Sequence, residues 1–279
     1  MQPRAKLLTA LLASSLLLSG CGSTATTSTE SQTSKNSKTG GTLSIALPKQ
    51  PDTLDPATTG AAVMSSILSW VGNSLIYQDP HTIQFVPGLA KSWHVSANGL
   101  TYTFHLRHGV TFSNGTPLNA KAVVAEFQRI MNPKTKAKVA GTLVKPIKTV
   151  KTLSTYSFEV ILKKPFAPCM TALSQSLLMS VSPTTLKKEE QAFGKKPVIT
   201  GPWIINHWKS GQSITLSPNT KYHWAPSFFK NQGRPYPNHL KLQFITNPST
   251  LDAALLSGQV DIGGIDTTAL SQFRSIQSV

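Results

Sequence analysis

Few side chains in this sequence could hold a metal or activate a nucleophile. His105 and His108 lie three residues apart, a spacing that could offer two imidazoles to one metal ion. They fall in a strand-to-turn stretch, which directs them to different faces and favours ordinary polar contacts. Asp261 and Asp266 are close in sequence, yet no GxSxG, HExxH, P-loop, paired CxxC or GxGxxG motif accompanies them. We therefore expect a protein that is not an enzyme and uses no metal or cofactor.

The N-terminus combines the features of an export signal with a cysteine. A basic region with Arg4 and Lys6 is followed by an apolar run over residues 7–18 and two small residues. Such a run is short for a membrane span and typical of a secretory signal. The segment "LSGC" also resembles the bacterial lipobox, in which the cysteine receives a diacylglycerol. We expect a signal peptide over residues 1–20 and a lipid anchor on Cys21; the alternatives are an ordinary signal peptide with a chance cysteine, or a buried helix.

The second cysteine has no partner for a disulfide if the first carries lipid. Cys169 is then the only remaining thiol, and no motif around it suggests a nucleophile, so we expect a buried small apolar side chain. Residues 21–39 consist of Ser, Thr and other polar residues without an apolar period. They predict a disordered tether between the lipid and a folded region that begins at Gly40.

The charge balance arises from missing acidic residues. The chain of 279 residues is 39% hydrophobic, enough to fill a core, and carries 27 Lys and Arg against 11 Asp and Glu, a formal charge of +16. That charge alone would suggest nucleic acid, an anionic membrane or an acidic ligand. Only 14% of residues are charged, however, against about 25% in ordinary proteins. The basic residues are also scattered rather than clustered with aromatics, so no nucleic acid partner is expected.

Strand and helix signals alternate along the folded region. The segment "GTLSIALP" alternates as a strand, and apolar residues over 61–77 recur at helical spacing with a break near Gly72. Two alternating runs flank Asn98-Gly99, a strong hairpin signal. Further strands are expected in "SFEVILKKPF", "SITLSPN" and "HLKLQFIT", and helices in "PCMTALSQSLLMSVSP" and "STLDAALLSG", the last ended by Gly258 and followed by a strand.

Residues 110–127, "VTFSNGTPLNAKAVVAEF", predict a strand end, a turn and a helix start. Asn119 is the expected N-cap, and Asn132-Pro133 should end the helix. No carboxylate appears before Glu126, although Asp is common at turns and helix starts. Taken together the mixed signals predict an α/β class with α+β mixed sheets.

Five segments, in order, resemble the family 5 extracellular solute-binding proteins, the oligopeptide- and dipeptide-binding components of ABC importers. They are "GGTLSIALPKQPDTLDPA", the long run "PGLAKSWHVSANGLTYTFHLRHGVTFSNGTPLNAKAVVAEFQRIMNP", "ITGPWIINHW", "LSPNTKYHW" and "ALLSGQVDI". The resemblance implies a fold like the type II periplasmic binding proteins, in which two lobes close over a ligand. It also explains Asp261 as a structural residue.

The resemblance implies a division of the chain into parts. Residues 40–57 and 185–268 correspond to a discontinuous first lobe, and residues 58–184 to its attached second domain. Residues 269–279 correspond to the start of an opposing lobe, the rest of which is missing because the chain has about half of the family's usual length. We accordingly expect a truncated chain that binds solute weakly unless a second polypeptide supplies the facing lobe.

Family alignment also yields cleft candidates. The turn Leu54-Asp55-Pro56 aligns with a family turn, and the residues after it have a backbone that can pair with an extended peptide. The segment after Asp261 aligns with the cleft edge near the hinge, and Trp203 is a cleft candidate that could equally pack in the core. The candidates are Gly60, Ala61, Ala62, Val63, Trp203, Gly263, Gly264 and Ile265.

The function implied by the resemblance is capture of peptides outside the cytoplasm and delivery to ABC permease subunits, at a membrane to which the N-terminal lipid anchors the chain. Nickel complexes, sugars and other small solutes are also taken by family members. Two other classes stay open: a cationic surface lipoprotein that binds polyanions, and a secreted hydrolase, which the absence of a nucleophile–base pair disfavours.

The resemblance also bears on the missing acids. The resembled family commonly has Asp where this chain has Asn98, Asn114, Lys121 and Ala122. Asn keeps turn and cap geometry without a titratable group, so adaptation to a low-pH exterior is one explanation. Lineage drift or a bias toward basic proteins is the other.

Overall fold

The structure is a computed structural model, and it describes residues 39–188, 193–265 and 273. Within those residues, no helix has the length and apolar character needed to cross a membrane. The expected signal peptide, the lipid site Cys21, most of the tether and residues 269–279 lie outside the described residues, as does Asp266.

The first sheet is mixed. Its strands are β1 (Thr42–Leu47), β8 (Trp203–Lys209), β9 (Ser213–Pro218) and β10 (His239–Phe244), in the order β1-β10-β9-β8. β1 pairs in parallel with β10, whereas β10 with β9 and β9 with β8 are antiparallel. Alternating apolar residues such as Ile214 and Leu216 are fully buried, as the strand period requires.

The second sheet is antiparallel throughout. It consists of β4 (Ala90–Val95), β5 (Thr101–Leu106), β6 (Ile147–Ser154) and β7 (Ser157–Leu162), in the order β4-β5-β7-β6. The predicted hairpin at Asn98-Gly99 is confirmed, because β4 pairs with β5 and Gly99 has a φ of +66°. A short hairpin of β2 (Ile76–Gln78) and β3 (Phe85–Pro87) precedes it.

Six α-helices are described. They are α1 (Ala62–Val71), α2 (Ala120–Met131), α3 (Lys138–Val144), α4 (Cys169–Leu173), α5 (Pro183–Lys188) and α6 (Pro248–Leu256). The predicted cap is confirmed, since Asn119 Oδ1 accepts a hydrogen bond from Ala122 N at 3.0 Å. α2 ends at Met131, directly before Asn132-Pro133.

Two predicted elements were wrong in extent. The apolar stretch from residue 168 to 183 forms only the five residues of α4 and a 3-10 turn at Ser176–Leu178. Leu178 packs in the core of the second sheet, while Met179 and Val181 pack in the core of the first. A straight helix could not serve both cores, so the chain becomes extended. After α6 the expected strand is reduced to a single bridge at Ile262.

Each sheet has its own hydrophobic core. Met64, Ile67 and Leu68 of α1 pack under the first sheet. Phe104, Phe127 and others pack between α2 and the second sheet, together with Tyr222 and Trp224 from the β9–β10 connection. The domain limits at 57/58 and 184/185 stay a prediction; a division by cores would place α1 with the first lobe.

Candidate functional site

Three chain segments run in the same direction at one side of the first sheet. β1 is parallel to β10, and on its other side Ile45 forms a parallel bridge with Ile262. The Ala46 N–H donates to Ile262 O at 2.8 Å, and the Asp261 N–H donates to Ser44 O at 2.9 Å. Carboxyl ends of parallel strands are where α/β sheets leave room for ligands. We refer to the segments at these ends, residues 60–63 and 263–265, as the carboxyl edge.

Asp261 anchors the segment that leads to this edge. Its Oδ2 accepts a hydrogen bond from Ser44 N at 2.7 Å, which agrees with its expected structural role. At Gly263 an added Cβ would lie 2.9 Å from Leu251 Cδ1, so that leucine side chain would have to shift. Gly264 by contrast has open space around it and is exposed. Ile265 is half-buried.

The other half of the carboxyl edge is the start of α1. The Gly60 N–H donates to Asp52 Oδ2 at 3.1 Å, and the Ala61 N–H donates to Thr59 Oγ1 at 3.2 Å. Ala61 is the N-cap, but its side chain cannot cap the helix. Among the residues that the structure describes, the N–H groups of Ala62 and Val63 reach no protein acceptor. They are available to an acceptor oxygen from outside.

Asp52 holds the turn before α1. Its Oδ1 accepts from Thr59 Oγ1 at 2.7 Å and from Thr53 N at 3.0 Å. Partial burial acts to raise the pKa of Asp52, but the hydrogen bonds from Thr59, Gly60 and Thr53 together hold this pKa below its ordinary value. The ionised form of Asp52 therefore stabilises the turn that presents Gly60 and Ala61.

Behind this turn lies a buried ion cluster of Asp55, Glu126 and Arg129. Arg129 Nη1 and Nη2 donate to the two Asp55 oxygens at 2.8 and 2.7 Å. Arg129 Nε and Nη2 also donate to the two Glu126 oxygens at 2.9 and 2.7 Å. Both pairs are bidentate, the strong geometry for guanidinium and carboxylate. The cluster fastens the Leu54-Asp55-Pro56 turn to α2, 74 residues away in sequence.

Burial sets the protonation of this cluster. Glu126 is 1% exposed, and this burial raises its pKa to about 7 although the hydrogen bonds and charge of Arg129 act to lower it. The Asp55 charge adds a smaller upward contribution. Burial alone would lower the pKa of Arg129, but the hydrogen bonds and charges of Asp55 and Glu126 raise it. Arg129 thus stays charged while Glu126 is the group that can exchange a proton near neutral pH.

Trp203 lies away from the carboxyl edge. It begins β8, opposite Pro218 at the end of β9, and β8 runs in the same direction as β10. Trp203 is therefore at the amino end of the sheet direction that β1 and β10 share, and it is only 8% exposed. Its remaining surface lines a pocket of about 480 Å³ that Trp70, Tyr77 and Phe229 also line. Seven of the eight cleft candidates thus lie in two segments, the start of α1 and the stretch after Ile262, whereas Trp203 begins β8.

The side chains that could have done chemistry have structural surroundings. His105 Nδ1 lies 2.9 Å from Ser157 Oγ, whereas the His108 ring stacks on Tyr156 with centroids 4.0 Å apart. Cys169 is buried, and this burial raises the pKa of its thiol to about 11, which disfavours the thiolate. In the described part of the chain, no group of three or more His, Cys, Asp or Glu side chains could hold a metal ion.

Sequence reasoning missed the roles of Glu126 and Arg129. One signal was present: Glu126 is three residues after Val123 and four before Ile130, on the apolar face of α2. A carboxylate on such a face needs a buried partner, and Arg129 one turn later is the nearest candidate. The second partner, Asp55, gave no local signal.

Comparisons with known proteins show which proteins the chain is similar to. The family model "Bacterial extracellular solute-binding proteins, family 5 Middle" matches residues 84–279. "Glutathione-binding protein GsiB" of Shigella flexneri is 33% identical over 142 residues, which are 51% of this chain and 27% of that protein. The "Nickel-binding periplasmic protein" of Escherichia coli (strain K12) is 31% identical over 179 residues, 63% of this chain and 32% of that protein.

One solved structure shows the extent of the similarity. The "ABC transporter-associated periplasmic binding protein DppA from Helicobacter pylori in complex with peptide STSA" matches with a TM-score of 0.75 and 27% identity. The match covers 85% of this chain and 49% of that one. The chain thus spans about half the length of this structure and about a third or less of the two curated relatives.

Proposed function

The chain belongs to the bacterial extracellular solute-binding proteins of family 5, and from this membership we propose that it captures peptides outside the cytoplasm and delivers them to the membrane permease of an ABC importer. Its mixed α/β fold is that of the type II periplasmic binding proteins. The relatives are described by the solutes they bind, which supports a binding protein rather than an enzyme.

The carboxyl edge is the observation that carries the proposal. An extended peptide offers carbonyl oxygens at regular intervals, and the free N–H groups of Ala62 and Val63 are donors that such oxygens can use. Exposed Gly264, in the segment after Ile262, has open space around it, where backbone can approach backbone. Main-chain pairing of this kind recognises peptides with little regard to side chains.

A substitution at the helix start tests the pairing. Ala62→Pro removes one N–H from the edge, yet proline suits the first helical position, and Ala61 already has the extended backbone (φ −84°, ψ 126°) that precedes proline. We expect an unchanged melting temperature and an affinity for di- to pentapeptides reduced by about threefold to tenfold, since one hydrogen bond contributes about 0.5–1.5 kcal/mol. Binding is measured by titration calorimetry up to millimolar peptide, with glutathione and nickel–histidine as competing solutes.

Lys138→Pro is the matched control, because it changes the first residue of α3, which is not part of the edge. Equal losses of peptide affinity in both variants would contradict the proposed edge. Binding of only glutathione or the nickel complex would replace peptide as the solute class. Absence of any binding, with or without a polypeptide supplying the facing lobe, would overturn the solute-capture function.

The proposal includes a lipid anchor at Cys21, supported by the lipobox-like "LSGC". Mass spectrometry of the membrane fraction should find a diacylglycerol-bearing N-terminal peptide. Cys21→Ser should abolish it and release the chain, whereas Cys169→Ser, at the buried thiol, should leave it intact. An unlipidated Cys21 in the mature chain would contradict the anchor.

A further inference from the structure

A second surface feature, separate from the carboxyl edge, gathers basic side chains. Lys91, Arg107, His108, His223 and Trp224 line a pocket of about 500 Å³, which we refer to as the basic pocket. They come from β4, from the residues after β5 and from the β9–β10 connection. None of them belongs to residues 60–63 or 263–265.

The guanidinium of Arg107 is held in place without being neutralised. Its Nε donates to Gly88 O at 2.6 Å, and the side chain is half-buried. Within the described ranges, Nη1 and Nη2 have no acceptor and Arg107 forms no ion pair; the ion pairs found there belong to Arg129. A fixed guanidinium with two free N–H edges is suited to a multi-oxygen anion.

Aromatic contacts fix the walls of the basic pocket. Trp224 is buried, and its Nε1 donates to Asn73 Oδ1 at 3.1 Å and to Thr200 O at 3.0 Å. The His223 ring meets Trp224 edge-on at 5.0 Å, and its Nδ1 lies 2.8 Å from Lys221 O. Because that carbonyl can only accept, the Nδ1 that faces it carries a proton.

The charge of the basic pocket has one sign. Lys91 and Arg107 bring positive charge to the pocket, and His108 and His223 bring imidazoles. The described lining contains no carboxylate. The ammonium of Lys91 and the two free N–H edges of Arg107, on separate segments, suit an anion with three or more acceptor oxygens better than a carboxylate with two. We propose that the basic pocket binds a phosphate-class oxyanion, either free phosphate or the phosphate of a lipid headgroup.

Titration of the full chain with inorganic phosphate, at ionic strength held constant with sodium chloride, tests the site. Binding is followed by the fluorescence of Trp224 and its neighbours and by calorimetry. A second arm measures co-sedimentation with vesicles of phosphatidylcholine alone or mixed with phosphatidic acid, whose exposed phosphate monoester presents the same group. Variants are Lys91→Gln and Arg107→Gln, with Lys148→Gln, an exposed lysine of β6 outside the pocket, as the matched control.

We expect saturable binding in at least one arm, weakened about threefold to fivefold by Lys91→Gln and more by Arg107→Gln, because exposed charge pairs contribute about 1 kcal/mol or less and a forked contact contributes more. Lys148→Gln should bind as the unmodified chain does. Phosphate binding identifies a small-anion site, and binding to phosphatidic acid vesicles alone identifies the lipid source. No saturable binding in either arm, or equal weakening by Lys148→Gln, would overturn the proposal. Lys91 is not part of the carboxyl edge. The peptide affinity of the Lys91→Gln variant should therefore be unchanged, whether or not the basic pocket binds phosphate.

Discussion

The buried carboxyl of Glu126 predicts how the stability of the fold depends on pH. Its pKa is about 7 in the folded chain, against an ordinary value of 4.5. Between these values the folded state binds more protons than the unfolded state, so the free energy of unfolding falls as pH rises. A pKa difference of about 2.5 corresponds to about 3 kcal/mol at 1.36 kcal/mol per unit. This contribution is fully present below pH 4.5 and lost above pH 7.

Glu126→Gln removes the titration and resembles the protonated acid, whose oxygen can still accept from Arg129. Relative to the unmodified chain, the variant should gain about 3 kcal/mol in free energy of unfolding between pH 4 and pH 8, because only the unmodified chain loses stability there. Urea unfolding followed by tryptophan fluorescence at five pH values measures the difference. At this chain length 1 kcal/mol shifts the melting temperature by about 2–4 °C, so thermal melts should show the same trend.

Glu159→Gln is the matched control, because Glu159 is half-exposed on β7 and the chemical change is the same. The difference in free energy of unfolding between Glu159→Gln and the unmodified chain should not rise with pH as the difference for Glu126→Gln does. Parallel pH curves for Glu126→Gln and the unmodified chain would refute the reasoning. They would mean that Arg129 keeps Glu126 ionised in spite of its burial.

Three further predictions concern local structure. Asn119→Ala removes the α2 cap on Ala122 N and should cost about 1 kcal/mol in urea unfolding; no loss would show that the helix is held by packing alone. Gly201→Ala would place a Cβ against the Val71 carbonyl, to which the Gly201 N–H donates at 2.9 Å, and should lower the melting temperature by several degrees. Gly211→Ala, where the space is open but φ is +72°, should lower it less. A larger loss for Gly211→Ala would contradict the close contact between Gly201 and Val71. Asp52→Asn should lower the free energy of unfolding by at most about 1 kcal/mol at neutral pH, because Asp52 is largely exposed to solvent. This loss should disappear as pH falls through the depressed pKa of Asp52, and a difference that persists at pH 2 would contradict its ionic origin.

Local elements of this fold were readable from sequence because their causes are local. The Asn119 cap, the Asn98-Gly99 hairpin and the end of α1 at Gly72 depend on side chains or glycines within four residues. The burial of Cys169, expected because no motif around it suggests a nucleophile, is confirmed. In the cap and the hairpin, a small group of residue types fits the local backbone better than the rest.

Features that depend on distant partners were not readable. The bond between Asp55 and Arg129 joins residues 74 positions apart, and a single sequence carries no signal of which pairs meet. The stretch after α4 has enough apolar residues for a helix, but they serve two cores at once, which only the tertiary arrangement reveals. Trp203, a cleft candidate by alignment, begins β8, which is three strands from β1 in the sheet, because strand order is a tertiary property.

The structure narrows the explanation for the missing acidic residues. At several turns and helix starts, an Asn oxygen accepts from a backbone N–H two or three residues later, which a carboxylate could do equally well. These residues are Asn98, Asn119, Asn132 and Asn247. Near the positive end of a helix, Asp would even be favoured at neutral pH. Geometry therefore does not account for Asn at these four positions.

Asn114 is different, because its amide oxygen accepts a hydrogen bond and its amide nitrogen donates hydrogen bonds. Oδ1 accepts from Thr116 N at 3.1 Å, and Nδ2 donates to Ser182 Oγ at 3.3 Å and Thr184 Oγ1 at 3.4 Å. Here the N–H₂ group has partners that a carboxylate would meet only after the hydroxyls turned to donate. Geometry thus favours Asn at this one turn.

What distinguishes Asn from Asp at the other positions is protonation. A cap carboxylate that is protonated in acid loses its charge-assisted bond, whereas the amide oxygen of Asn119 accepts from Ala122 N at any pH. The raised pKa of Glu126 acts in the same direction, because acidification toward pH 4.5 adds stability. Asp52 acts in the opposite direction, because its contribution to stability is present above its unfolded pKa and is lost as pH falls through its depressed folded pKa. Glu126 thus favours the acidic side of neutrality, whereas Asp52 and Asp79, whose pKa values are lowered, favour the ionised state, so these groups do not decide between a low-pH exterior and drift. Thermal melts from pH 2 to 7 separate the two explanations, since a steep loss below pH 4 would leave drift or basic bias as the account of the missing acids.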